Sequence, residues 1–148
     1  RVRLVEVTPY RLEGKYTDKR HPDEIRFAST VDEDLARRDF TINAMAFEVT
    51  SHKRRVEGLV DPFGGLSDLR EGLIKTVGNA EERFSEDALR ILRAVRFATV
   101  LGFEIEPATA AAIKKNAGWL KAISKERIRE EFVKIMESDQ AYEGVLML

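Results

Sequence analysis

Residues Ser85 to Ala98 read "SEDALRILRAVRFA". Apolar residues recur at helical spacing, yet Arg90, Arg93 and Arg96 follow one another every third residue, behind Glu86 and Asp87. On a wheel of ~100° per residue with Glu86 at zero, Arg90 falls near ~40° and Arg93 near ~−20°. Asp87 (~100°) and Arg96 (~−80°) flank that stripe. Ala88, Ile91, Leu92, Val95 and Ala98 gather opposite and predict a core face, whereas Leu89, Phe97 and Leu101 fall among the charges. Two readings fit. Glu86 and Arg90 form an i,i+4 surface pair worth a few tenths of a kcal/mol, or the charged, partly apolar side lines a cleft where arginine forks meet a ligand.

Asp87 and Arg90, one helical turn apart on this reading, combine a group that only accepts hydrogen bonds with one that only donates. Cytosine and adenine each present an amino donor beside a ring-nitrogen acceptor; guanine and uracil present a carbonyl beside a ring N–H. An Asp–Arg pair therefore has the chemistry to accept C and A and reject G and U.

A second constellation lies in "ARRDFTINAMAF", Ala36 to Phe47. A helix is predicted over Ser29 to Val49, capped by Ser29 or Thr30, with Asp32, Glu33 and Asp34 in its first turn. Arg37 and Arg38 near a helix start oppose the dipole, which points to an anion they serve. Asp39 and Asn43, at i,i+4, are placed to hold sugar hydroxyls. The competing reading is a solvated basic pair neutralised by the preceding acids.

Asp32 and Asp34 spell a metal-binding Asp-x-Asp, but on a helix residues two apart diverge by ~200°. Glu6, in the alternating run "RVRLVEVTPYR", is the better carboxylate for a cation, although magnesium generally takes two. His21 and His52 stand in loops without nucleophile partners, and "DPFGG" reads as a turn before a helix.

Around these motifs the chain divides into a strand-rich part, residues 1–78, and a helical part, residues 79–148. The first has a strand at its start, a polar loop from Pro9 to Asp23, a strand at "IRFAST", a hairpin over Ala46 to Gly65, a short helix ended by Gly72 and a strand at "LIKTV". The second predicts helices at Ala80–Phe84, Glu86–Leu101, Pro107–Ala117, Ser124–Glu137 and Gln140–Leu148. The fold class is α+β. The net charge of −1 over 148 residues excludes a globally basic nucleic-acid binder, so an anion site has to come from local clustering. The absence of cysteine excludes disulfides and thiolate zinc sites and favours a cytoplasmic setting. No run is apolar enough to span a bilayer, and no signal-peptide pattern is present. The opening at Arg1 and the close in mid-helix suggest part of a longer protein.

"VEVTPYR", "ARRDFTINAMAF", "LVDPFGGLSDL" and "LIKTVGNAEERFSEDALRILRAVRFA", in that order and spacing, resemble the class II tRNA nucleotidyltransferases (CCA-adding enzymes) and the related bacterial poly(A) polymerases. The resemblance implies a partial nucleotidyltransferase sheet domain, its C-terminal part at 1–78, followed by an all-helical neck, truncated, at 79–148. It implies that Arg38 holds a triphosphate, Asp39 the ribose, and Asp87 and Arg90 the base of incoming CTP or ATP, with Arg93 and Arg96 as further nucleotide contacts and Glu6 as the third catalytic carboxylate. The expected partners are CTP, ATP and the 3′ end of tRNA, and the expected cofactor is Mg2+. In such enzymes the RNA 3′-hydroxyl attacks the α-phosphate, with two magnesium ions activating the hydroxyl and neutralising the departing pyrophosphate.

The family's Gly-Gly-x-x-Arg-Asp motif and its metal-binding Asp-x-Asp do not occur in these residues. The chain by itself is therefore expected to be inactive, with Glu6 as the remaining catalytic carboxylate. The loop Pro9–Asp23 matches a family loop associated with the change from C to A addition, which favours full CCA or terminal A addition. A poly(A) polymerase and a non-catalytic nucleotide- or RNA-binding module are the rival functions.

Overall fold

A computed structural model describes residues 7–13, 25–50 and 55–148. Glu6, His21, His52 and most of the predicted loop lie outside the described residues. Arg11–Glu13 (β1) pairs antiparallel with Ile25–Phe27 (β2), so the loop expected from Pro9 opens with a strand. Val7 and Thr8, expected to end the first strand, have no regular structure, and neither do Pro9 and Tyr10 of the expected loop.

Val31–Ala36 forms α1. Thr30 caps it in a reciprocal box: its hydroxyl accepts from the Glu33 N–H (3.3 Å), and the Glu33 carboxylate accepts from the N–H groups of Thr30 and Ser29. The helix predicted to run on to Val49 stops at Arg37. Phe40 is drawn into extended backbone, where it bridges Thr76. The Thr41 N–H donates to the Lys75 carbonyl and the Val77 N–H to that of Asp39. Phe40 is wholly buried against Ile74, Ala94 and Ala98 and meets Phe97 edge-on at 5.7 Å. Burying one such ring contributes about 2 kcal/mol, more than the helix propensity of Arg-Arg-Asp can offset.

After a single 3-10 turn at Thr41–Asn43 the chain enters the hairpin Ala46–Thr50 (β3) and Arg55–Val60 (β4). The ladder slips between Phe47 and Glu48, opposite Gly58. Gly58 has φ +68°, which admits the extra residue of a bulge without steric cost. "DPFGG" is the predicted turn: the Asp61 carboxylate accepts from the N–H groups of Gly65 (2.7 Å) and Leu66 (2.9 Å) and starts α2, Gly65–Glu71. Gly72 ends α2 in the left-handed region, as its position predicts.

The helical part departs from expectation twice. Two separate helices are present as expected, but Ala80–Glu86 (α3) takes in Ser85 and Glu86 and Leu89–Leu101 (α4) begins three residues later than predicted, so the break falls at Asp87 and not at Ser85. Asp87 is extended (φ −141°, ψ 106°), and its Oδ1 accepts from the Leu89 N–H at 3.0 Å. Its short side chain engages nearby backbone and so opens α4 in place of continuing α3. In addition, Glu104–Ile105 (β6) lies where only helix was expected and pairs in parallel with Leu73–Ile74 (β5). Pro107–Asn116 (α5), Lys125–Met136 (α6) and Ala141–Met147 (α7) follow close to prediction.

The α4 helix is the axis of the packing. Leu89, Leu92 and Val95 meet Ile123 and Ile135, Ala94 and Ala98 meet Phe40 and Ile74, and Ile91 meets Phe84 and Ala112. These are largely the residues of its predicted core face. A Cβ on Gly144 would lie 2.6 Å from both Ile135 and Thr99, so glycine lets α7 sit close to α4 and α6. Among the described residues, no helix is long and apolar enough to cross a membrane.

Candidate functional site

The C-terminal end of α1 faces the α3–α4 break across a pocket of about 470 Å³. Arg37, Arg38, Asp39 and Asn43 line one side. Asp87, Leu89, Arg90, Arg93 and Phe97 line the other, with Arg127 of α6. Five arginines against two aspartates leave the lining three positive charges in surplus, on a chain whose net charge is −1. That local clustering is what an anion requires.

Each side chain is held. Asp34, buried on α1, accepts from Arg37 (2.5 Å) and Arg38 (2.9 Å). Arg37 and Arg38 thus follow the C-terminal end of a helix, where cations suit the dipole, so the expectation that they oppose it at a helix start is overturned. Arg38 keeps nearly half of its side chain exposed. Asp39 is buried. Its Oδ1 accepts from the Phe40 N–H (2.9 Å) and from Asn43 (3.1 Å), and its Oδ2 from Arg93 (2.8 Å).

Arg90 donates through one terminal nitrogen to Glu86 (2.5 Å) and to the Arg83 carbonyl (3.1 Å), and through the other to the Arg37 carbonyl (3.1 Å). Three of its five N–H groups are engaged, which leaves two. Asp87 receives both terminal nitrogens of Arg127, at 2.7 and 3.3 Å. Arg127 therefore fixes the plane of the Asp87 carboxylate, and Oδ2 retains a lone pair for another donor.

The pocket gathers six of the expected site residues: Arg38, Asp39, Asn43, Asp87, Arg90 and Arg93. Arg96 does not line it. Its guanidinium lies 3.8 Å from the centre of the Phe97 ring and its Nε donates to Glu131, so it braces Phe97 from behind. Asp87 and Arg90 are also not one turn apart on a single helix, as expected, because Asp87 precedes α4. Their convergence comes from the break itself. Phe97 and Leu89 had a visible signal, as apolar residues among the charges. Arg127 had none, since its partner lies 40 residues away in sequence.

Residues 1–75 match the poly A polymerase head domain, and residues 102–148 match the probable RNA and SrmB-binding site of polymerase A. A CCA-adding enzyme of Lactobacillus helveticus is 51% identical over 130 residues, covering 88% of this chain and 31% of that protein. One of Ligilactobacillus salivarius is 46% identical, covering 95% and 33% respectively. Among solved structures, the Bacillus stearothermophilus CCA-adding enzyme in complex with CTP is similar with a TM-score of 0.80 at 40% identity, over 95% of this chain and 32% of that one. The Thermotoga maritima CCA-adding enzyme complexed with tRNA_CCA gives 0.71 at 38% identity, over 80% and 28%. The chain spans about a third of the length of the curated relatives it matches. With half of its length matched by the head-domain model and close relatives across most of the remainder, the chain belongs to the poly A polymerase head-domain family that includes the CCA-adding enzymes.

Proposed function

We propose that the protein containing this chain is a template-independent nucleotidyltransferase of the cytoplasm that adds CCA, or its terminal A, to the 3′ end of tRNA from CTP and ATP. The observation that carries this reading is the single pocket in which Asp87 and Arg90 face Arg38 and Asp39. Residues 1–78 supply Arg37, Arg38, Asp39 and Asn43, and residues 79–148 the base-facing turn with Arg93 and Arg127. Arg38, the more exposed arginine on its side, would meet the triphosphate, and Asp39 with Asn43 would orient the ribose. Asp87 would accept the amino hydrogen of cytosine or adenine, while a remaining N–H of Arg90 donates to the ring nitrogen. Guanine or uracil would set a carbonyl against Asp87 and leave both sides unsatisfied, which costs more than a merely absent bond.

Phe97 offers a flat apolar wall, and the arginines would stabilise phosphate charge that redistributes during transfer. The expected cofactor is Mg2+. Among the described residues no group of three carboxylate or imidazole ligands comes together, so they do not fit a metal site, and no step is assigned to the ion.

Full-length protein given tRNA that ends before CCA is expected to incorporate C from CTP alone and to finish with A when ATP is added. Incorporation of A with no use of CTP would favour poly(A) polymerase activity, and no incorporation at all would favour a non-catalytic module. Within the active protein, Arg38→Ala is expected to raise KM for CTP and ATP alike, roughly tenfold, as loss of one charge-assisted phosphate contact predicts. A loss confined to one base would contradict the phosphate role.

A further inference from the structure

Arg83 lies outside the pocket yet joins its two sides. It sits in the last turn of α3, where one terminal nitrogen donates to the Ala36 carbonyl (3.0 Å) and the other pairs with Glu86 (2.6 Å). Glu86 holds Arg90 with its second oxygen, and Arg90 donates to the neighbouring carbonyl, that of Arg37. The contacts close a ring: Ala36 carbonyl, Arg83, Glu86, Arg90, Arg37 carbonyl, and back through one peptide bond. The carbonyls at the end of α1 have no partner within their own helix, and two guanidinium groups from the helical part satisfy them.

This ring sets the distance between the segment bearing Arg38 and Asp39 and the turn bearing Asp87 and Arg90. We infer that Arg83 is a positioning residue for base selection, holding the base-facing turn in register with the triphosphate-facing arginines. The inference rests on the proposed function of the pocket. The geometry favours register over simple cohesion. Among the described residues the Nε of Arg83 has no hydrogen-bond partner, so its two terminal nitrogens alone make the contacts that span the ring. A planar fork spans a carbonyl and a carboxylate at once, whereas a lysine ammonium is a single point of charge.

The test uses full-length protein with tRNA ending before CCA, comparing Arg83→Ala and Arg83→Lys with the unaltered enzyme. The readouts are KM and kcat for CTP, the ratio of C to U incorporation, and Tm. Arg83→Ala is expected to lower the C-over-U ratio roughly tenfold and raise KM, with kcat changed less, because a displacement of about 1 Å between binding arms suffices for effects of this order. Arg83→Lys is expected to recover Tm while recovering the ratio only in part. A ratio unchanged in both variants, with activity falling only as Tm falls, would make Arg83 merely structural and overturn the inference. If the alanine variant does not fold, the lysine variant carries the same comparison. An unaltered enzyme that incorporates no nucleotide would remove the functional reading itself, which is distinct from an active enzyme indifferent to Arg83.

Discussion

Glu131→Ala is expected to destabilise the protein by about 3 kcal/mol, the cost of stranding a buried charge without its partner. Glu131 is 4% exposed, and its carboxylate meets Arg96, Lys134 (3.3 Å) and, at 3.9 Å, Arg93. Arg96 is held between that carboxylate and the Phe97 ring, with little of its side chain in water. Once the carboxylate is gone, Arg96 must either stay buried unpaired or pull away from Phe97 and open the α4–α6 contact. Glu131→Gln keeps the shape and an acceptor oxygen and should cost about half as much. Hydrogen exchange of α4 and α6 amides, together with Tm, measures the loss. Protection equal to that of the unaltered protein in the alanine variant would show that the cluster contributes nothing net.

Asp87→Ala and Arg90→Ala are expected to lower the preference for C and A over G and U by roughly 10- to 100-fold, the range for losing one good base-edge pair. The two should differ in affinity. Without Asp87 the guanidinium of Arg127 is released toward a pocket already rich in arginine, so triphosphate binding should be maintained. Without Arg90 the Arg37 carbonyl loses its donor and Glu86 one of its cations, so binding weakens along with selection. Incorporation assays with each of the four nucleotides separate the effects. If G and U are still rejected as strongly, the base-reading assignment is wrong.

Much of this site could be read along the chain because its parts are short-range. Asp39 with Asn43 and Asp87 with Arg90 are close in sequence, and their chemistry is apparent from residue type. Most of the core face of α4 followed from periodicity, whereas Leu89, expected among the charges, is buried in the core. What stayed hidden depends on distant partners. Phe40 leaves its predicted helix for Thr76 and a buried place beside Ile74, which no local pattern announces. The β6 strand has two residues and exists through its pairing with β5. The break at Asp87 did leave a local sign, an aspartate just ahead of an apolar helical run, which is a helix-start signal. The expected break fell at Ser85 instead, two residues early, which put Asp87 inside the helix it precedes.

The parallel pairing of β5 with β6 carries a consequence for how the chain can vary in length. Parallel neighbours need a crossover connection, and here α3, the Asp87 turn and α4 are that connection, tethered at both ends. Adding one residue to α4 would turn everything beyond it by ~100° and shift it by ~1.5 Å. Arg93 could then no longer reach Asp39 while Leu73 and Ile74 stayed paired with Glu104 and Ile105. The crossover thus works as a ruler of fixed length: loops elsewhere can absorb insertions, but the interval between the two strands cannot.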